Sequence, residues 1–214
     1  KTFRIAEKYR ENPDRGKNDL SVSDIEKIFK SLGDIYFFNI SGGEPFLRKD
    51  LPEIIELACK YLKPKIIHIP TNAIASKTIR DMTISCLEVI KKYGAEIPFT
   101  VKPSIDGIGP LHDEIRGVKG NFKQLETTIN SLMELDKHYP NFHLELGTVI
   151  SIYNVEHLAE IEDYVHAQGV QSYRNEIAEQ RAEFFNIGER ITPDAKTYEG
   201  IILGFIEKIK QNIG

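Results

Sequence analysis

Ile35-Tyr36-Phe37-Phe38-Asn39-Ile40 is a short run of β-branched and aromatic residues, and Ser41-Gly42-Gly43-Glu44-Pro45-Phe46-Leu47-Arg48-Lys49-Asp50-Leu51 follows it without a break. The first run reads as a buried strand. The two glycines permit a sharp turn in which main-chain groups come close to a ligand, and Pro45 fixes the exit of that turn. Asp50 and Glu53 have the spacing of a capping box for a helix whose Ile54, Ile55, Leu57, Ala58 and Leu62 keep to one broad face.

Working outward, the same alternation repeats. Ser23 and Glu26 predict the start of an earlier helix ending at Gly33, with Ile25, Ile28, Phe29 and Leu32 on one side. Downstream, strands are expected at Ile66 to Ile69, Phe99 to Ser104, a period-two segment around Phe142 to Leu146, and Val170 to Tyr173. Helices are expected at Thr78 to Tyr93, Phe122 to His138, Val155 to Ala167, and after Thr192-Pro193. Strand, helix, strand in steady succession is the signal of a parallel sheet covered by helices. The expected fold is therefore α/β, with residues 1–214 forming one domain. Arg10 to Asn18 reads as a polar loop ahead of the first helix.

Composition narrows the function only weakly. The formal net charge is −4, with 41% hydrophobic and 28% charged residues. No dense Lys/Arg cluster suggests a nucleic-acid surface. No apolar run is long enough to span a membrane. Cys59 and Cys86 are the two cysteines. Each lies in a helical pattern without a neighbouring ligand residue, so the expectation is two buried, reduced thiols in a cytoplasmic protein.

In parallel α/β folds, chemistry gathers at the carboxyl ends of the strands. The residues following the expected strands are Ser41 to Pro45, Thr71-Asn72, Ser104-Ile105-Asp106-Gly107, Ser151 to Asn154, and Arg174 to Glu176. All offer small or hydrogen-bonding groups, which suits a polar ligand lying across the strand ends. A phosphate at the Gly-Gly turn is disfavoured, because Glu44 would repel an anion there.

Ile40 to Leu51 resembles the SGGEPFLRxDL segment of the radical S-adenosylmethionine (radical SAM) superfamily. Thr71-Asn72-Ala73 is similar to that family's TNG motif, with Ala in place of Gly. Ser104-Ile105-Asp106-Gly107 and His112-Asp113-Glu114-Ile115-Arg116-Gly117 are similar to its SxDG and HDxIRG. The later motifs resemble those of the subgroup that includes peptide-modifying (SPASM-type) and molybdenum-cofactor-type enzymes.

The resemblance implies a partial (β/α)6 TIM-type barrel whose first strand and cluster loop are missing, residues 1–19 being the remnant of that loop and a polar linker. It implies that Gly42, Gly43, Glu44 and Pro45 form the turn holding the methionine amino group of S-adenosylmethionine. Thr71 and Asn72 would sit beside the cluster and nucleoside, and Ser104 would hydrogen-bond the carboxylate or ribose of S-adenosylmethionine, with Asp106 shaping the same wall. Arg116 would face the methionine carboxylate, or else make a salt bridge at a helix start. His112 is expected to bond backbone from a loop, and Asn154 either to cap the next helix or to touch the adenosine.

The family's 4Fe-4S cluster needs a CxxxCxxC loop, and those ligand cysteines are expected upstream of Lys1; no catalytic or metal-binding residue is assigned within this chain. The implied function is oxidoreductase-type generation of a 5′-deoxyadenosyl radical that abstracts hydrogen from a small-molecule or peptide substrate. An electron donor such as flavodoxin or ferredoxin would supply the electron. The fragment alone would be inactive. The alternative is a non-catalytic barrel of the same family, acting as a binding or partner module.

Overall fold

The computed structural model describes residues 19–213, except 95, 171 and 181–185. The expected polar loop at Arg10 to Asn18 lies outside the described residues. The chain forms α1 (Val22–Ser31), β1 (Phe37–Asn39), α2 (Leu51–Tyr61), β2 (Ile66–Thr71), α3 (Ser76–Tyr93) and β3 (Phe99–Pro103). It continues with α4 (Pro110–Arg116), α5 (Asn121–His138), β4 (Phe142–Ile150), α6 (Leu158–Ala167), β5 (Ser172–Ile177) and α7 (Ala195–Ile213). The strands lie in sequence order, β1-β2-β3-β4-β5, every adjacent pair parallel.

This is the α/β architecture expected, with five parallel strands of a partial barrel. Side-chain contacts show that the sheet curls: His68 of β2 lies 3.4 Å from Glu145 of β4, and Lys102 of β3 lies 3.0 Å from Glu176 of β5. In each case the side chains meet across an intervening strand. On a flat sheet, strands two apart are separated by roughly 9.6 Å. Such side chains therefore converge on the concave face of the curve.

The convex face carries the main core. Ile67, Ile69, Phe99, Val101, Leu144 and Leu146 alternate along their strands and pack against α2, α3, α5 and α6. Each fully buried aliphatic or aromatic side chain contributes about 1.5–3 kcal/mol. A smaller cluster of Ile25, Phe29, Ile54, Ala58 and Leu62 joins α1 to α2. Both faces of β4 are largely buried, so the simple in-and-out alternation read around Phe142 gives way to near-continuous burial.

Several boundaries differ from the sequence reading. The cap of α1 is Ser21, whose Oγ accepts from Asp24 N–H, rather than Ser23 with Glu26. Asp50 caps nothing with its side chain; Arg48 engages it instead, at 2.8 and 3.1 Å. The short helix α4, opened by Pro110, occupies a stretch expected as loop. β5 runs to Ile177, so Arg174 to Glu176 lie within the strand and not beyond it. Val155 to His157 form a 3-10 turn, and the expected helix begins at Leu158.

Candidate functional site

The turn after β1 is held from below and open above. Glu44 caps a 3-10 turn, Pro45–Leu47, by accepting from Phe46 N–H at 3.2 Å, and Phe46 is buried in the core beneath. At the exit, Arg48 clasps Asp50 and donates to the Leu20 carbonyl at 2.6 Å, so the FLRKD stretch is a structural buckle. Gly42 and Gly43 have nothing within 4 Å of where a Cβ would stand. Their lack of side chains leaves space over the turn into which a ligand can approach the main chain.

β2 ends against this turn. Thr71 Oγ1 donates to the Glu44 carboxylate, 2.9 and 3.0 Å from its two oxygens, and Asn72 N–H donates to Oε2 at 2.7 Å. Burial pushes the Glu44 carboxyl above its ordinary range despite the opposing hydrogen bonds from Asn72, Thr71 and Phe46 and the charge of Arg116. A desolvated, positioned carboxylate with spare lone pairs is suited to an ammonium partner. Ala73 follows with φ +62°, in the left-handed region that favours glycine, and its carbonyl accepts from Thr128 Oγ1 at 2.8 Å.

The third strand end is a locked hub. Asp106 Oδ2 pairs with Arg116 Nε at 2.8 Å, and Oδ1 accepts from Val149 N–H at 2.9 Å. The Asp106 N–H donates to His112 Nδ1 at 3.1 Å, so the neutral imidazole carries its proton on Nε2. Burial, then the Arg116 charge, lowers the His112 pKa to about 4. Asn154 is fully buried and uses both ends of its amide. Nδ2 donates to the carbonyls of Asp106 and Val149, each at 3.0 Å, and Oδ1 accepts from Ser151 N–H at 2.7 Å.

The site residues named from sequence therefore separate into two groups. Gly42, Gly43, Glu44, Pro45, Thr71 and Asn72 form one connected turn. Asp106 and Arg116 form a buried ion pair, with Arg116 in the last turn of α4 rather than at a helix start. Ser104 lies between the groups and donates its N–H to the Thr71 carbonyl at 3.0 Å. Two side readings change. His112 does bond backbone, but from within α4. Asn154 neither caps with its side chain nor offers a group to a ligand; it staples the end of β4 to the Asp106 loop.

For an iron–sulfur cluster the residues present do not fit. Cys59 and Cys86 are buried in the core, and desolvation pushes their thiols up to about 11 and about 12. Among the described residues no group of three His, Cys, Asp or Glu side chains stands ready to hold a metal ion. No helix among them is long and apolar enough to cross a membrane.

Sequence reasoning missed the polar side of the concave face: His68, Lys102 and Glu145. The signal was present as single polar residues at alternate positions inside apolar strands, as in Ile66-Ile67-His68-Ile69 and Phe99-Thr100-Val101-Lys102.

Comparison with known proteins bears on this geometry. A family model described as the radical SAM superfamily matches residues 5–165. The antilisterial bacteriocin subtilosin biosynthesis protein AlbA of Bacillus subtilis (strain 168) is 32% identical over 122 residues, 54% of this chain and 25% of AlbA. The probable GTP 3′,8-cyclase of Methanococcus maripaludis (strain C5) is 32% identical over 130 residues, 58% of this chain and 38% of the cyclase. The chain thus spans well under half the length of these relatives. Among solved structures, native anSMEcpe with bound AdoMet aligns with a TM-score of 0.60 at 16% identity, covering 89% of this chain and 51% of that one. A second, with AdoMet and the Kp18Cys peptide, gives 0.55 at 18% identity, covering 83% and 47%. At such identity the likeness is one of fold.

Proposed function

From the premise that this chain belongs to the radical SAM superfamily, we propose that its protein uses S-adenosylmethionine and a reduced 4Fe-4S cluster to start radical chemistry on a substrate held against the barrel. The observation that carries this reading is the Glu44 carboxylate. It is largely desolvated, fixed by Thr71 and Asn72 at the end of the neighbouring strand, and directly follows Gly42 and Gly43, whose surroundings are open. A side-chain methyl at either glycine would intrude on that space.

In this proposal Glu44 accepts from the methionine ammonium, and the main chain at Gly42-Gly43 lies alongside it. Thr71 and Asn72 hold the carboxylate in place, while Pro45 and Phe46 fix the turn. Ser104 offers its hydroxyl on the adjoining wall. Arg116 neutralises Asp106 and extends its positive charge toward Glu44, which suits the methionine carboxylate. With a cluster held by cysteines outside this sequence, S-adenosylmethionine would supply radical chemistry for hydrogen abstraction. Cluster cysteines outside this sequence, a flavodoxin or ferredoxin as electron source and a cytoplasmic setting belong to the same proposal. So does the inactivity of residues 1–214 alone.

The test is anaerobic reconstitution of the full-length protein with iron and sulfide, followed by reduction. Formation of 5′-deoxyadenosine from S-adenosylmethionine supports the reading, and its absence in a protein carrying the cluster overturns it. The burial of both cysteines favours a second reading, a non-catalytic binding module. A CxxxCxxC motif in the coding sequence ahead of Lys1 would remove that alternative.

A further inference from the structure

We propose that Lys102, on the concave face of β3, is the cation that recognises an anionic oxygen group of the substrate, a carboxylate or a phosphate, in exchange for Glu176. The inference rests on the reading that S-adenosylmethionine occupies the strand ends, and it adds what the wall beneath them selects.

Lys102 precedes Ser104 by two residues, so its backbone lies roughly 7 Å below the strand end. Its side chain does not run up to solvent. It crosses the neighbouring strand at Gly147, where a Cβ would stand 2.9 Å from Lys102 Cδ and 3.2 Å from Cε. A glycine in the middle of a strand weakens it, and here the missing side chain is the passage for the lysine. The ammonium reaches Glu176 of β5 at 3.0 Å.

The two partners differ in environment. The Lys102 side chain is 13% exposed and that of Glu176 is 60% exposed. A largely desolvated ammonium needs an anion beside it, whereas a well-hydrated carboxylate gives up such a contact at little cost. Glu176 is therefore a replaceable partner.

The neighbouring carboxylate of Glu145, opposite Lys102 on β4, is engaged elsewhere. Glu145 accepts from Ser172 Oγ at 2.9 Å, faces His68 Nε2 at 3.4 Å, and lies 3.5 Å from Arg174. Although burial works against its charge, the His68 ring, the Ser172 hydroxyl and the Arg174 charge hold the Glu145 carboxyl below its ordinary range. His68 is fixed in turn through Nδ1 to Asn39 Oδ1 at 2.8 Å. Glu145 is thus already engaged by Ser172 and Arg174 and faces His68, and Lys102 is the adjustable group beside it.

The experiment is a calorimetric titration of this chain at fixed ionic strength with acetate and, separately, inorganic phosphate. Wild type is compared with Glu176→Gln and Lys102→Met, all three having matched circular dichroism. Saturable binding of at least one anion is expected, at least threefold tighter in Glu176→Gln, because the internal competitor is gone, and lost in Lys102→Met. Response to acetate assigns a carboxylate substrate, and response to phosphate alone a phosphorylated one. Binding of neither anion, an unchanged or weaker affinity in Glu176→Gln, or persistent binding in Lys102→Met overturns the inference. The affinity of the reconstituted full-length protein for S-adenosylmethionine is measured in parallel. Its loss in Lys102→Met assigns the cation to the cofactor and also overturns the inference. If wild type binds no S-adenosylmethionine, the reading of the strand ends falls instead, and the anion titration still decides the role of Lys102.

Discussion

The turn at Gly42-Gly43-Glu44 and the hub around Asp106 both sit at strand ends and both contain family motif residues, yet they are built on opposite principles. The turn carries a Glu44 carboxylate that accepts through both oxygens yet is only partly buried, beside two glycines with open space around them. In the hub Asp106 is buried against Arg116 and Val149, and the fully buried Asn154 is spent in the same way. A motif residue at a strand end can thus be a receptor or a rivet. The difference lies in whether its polar atoms are out of water: Glu44 is partly exposed, whereas Asp106 and Asn154 are buried.

The sharpest way to break this contrast is Asp106→Ala. It leaves Arg116 as an unpaired, mostly buried charge and strands the Val149 N–H, so a loss of about 3–5 kcal/mol in denaturant unfolding is expected. A loss below about 1 kcal/mol would mean that the hub is not a rivet.

Next in size is the pH dependence carried by His112. Its folded pKa is lowered to about 4 from 6.5, so below 6.5 the unfolded chain takes up the proton first. Its contribution is present above pH 6.5 and is lost as the pH falls toward 4, on the order of 3 kcal/mol. His112→Gln should flatten the stability profile in that window, and an unaltered slope would locate the titration elsewhere.

For the turn the expected effect is on binding. Glu44→Gln should weaken S-adenosylmethionine binding by the cluster-bearing full-length protein at least tenfold, about 1.4 kcal/mol, while shifting stability less. Because the Glu44 pKa is raised, wild-type affinity should decline on acidification before an ordinary carboxylate of pKa 4.5 would protonate. Equal losses of fold and binding would put Glu44 with the rivets.

The smallest effect concerns Ala73. Its φ of +62° suits glycine, but its methyl is buried, so Ala73→Gly should change stability by less than about 1 kcal/mol and in the favourable direction. A clear destabilisation would show that methyl packing outweighs the backbone preference.

Much of this architecture is legible in the chain's local patterns. The β-branched and aromatic run at Ile35 to Ile40 announces a strand, although β1 spans only Phe37–Asn39 and is largely exposed rather than buried. The apolar face at Ile54-Ile55-Ala58 announces a helix. Both are readable because hydrophobic periodicity is a local property. The Gly-Gly-Glu-Pro turn is readable for the same reason: backbone freedom and a fixed proline act within a few residues. Capping is less legible. Ser21 and Ser23 both precede helical pattern, and only the chain's actual path decides which serine meets a free N–H.

The chain's own residues specify the succession of parallel strands and helices, the turn that ends β1 and, over residues 5–165, membership of the radical SAM superfamily. Only the tertiary structure decided that Asn154 and His112 belong to scaffolding, that Thr71 and Asn72 grip Glu44, and that Lys102 crosses Gly147 to reach Glu176. These contacts join residues on different strands and loops. Which polar atoms are satisfied depends on the curvature that brings separate strands together, and that curvature is a property of the packed sheet and not of any one segment.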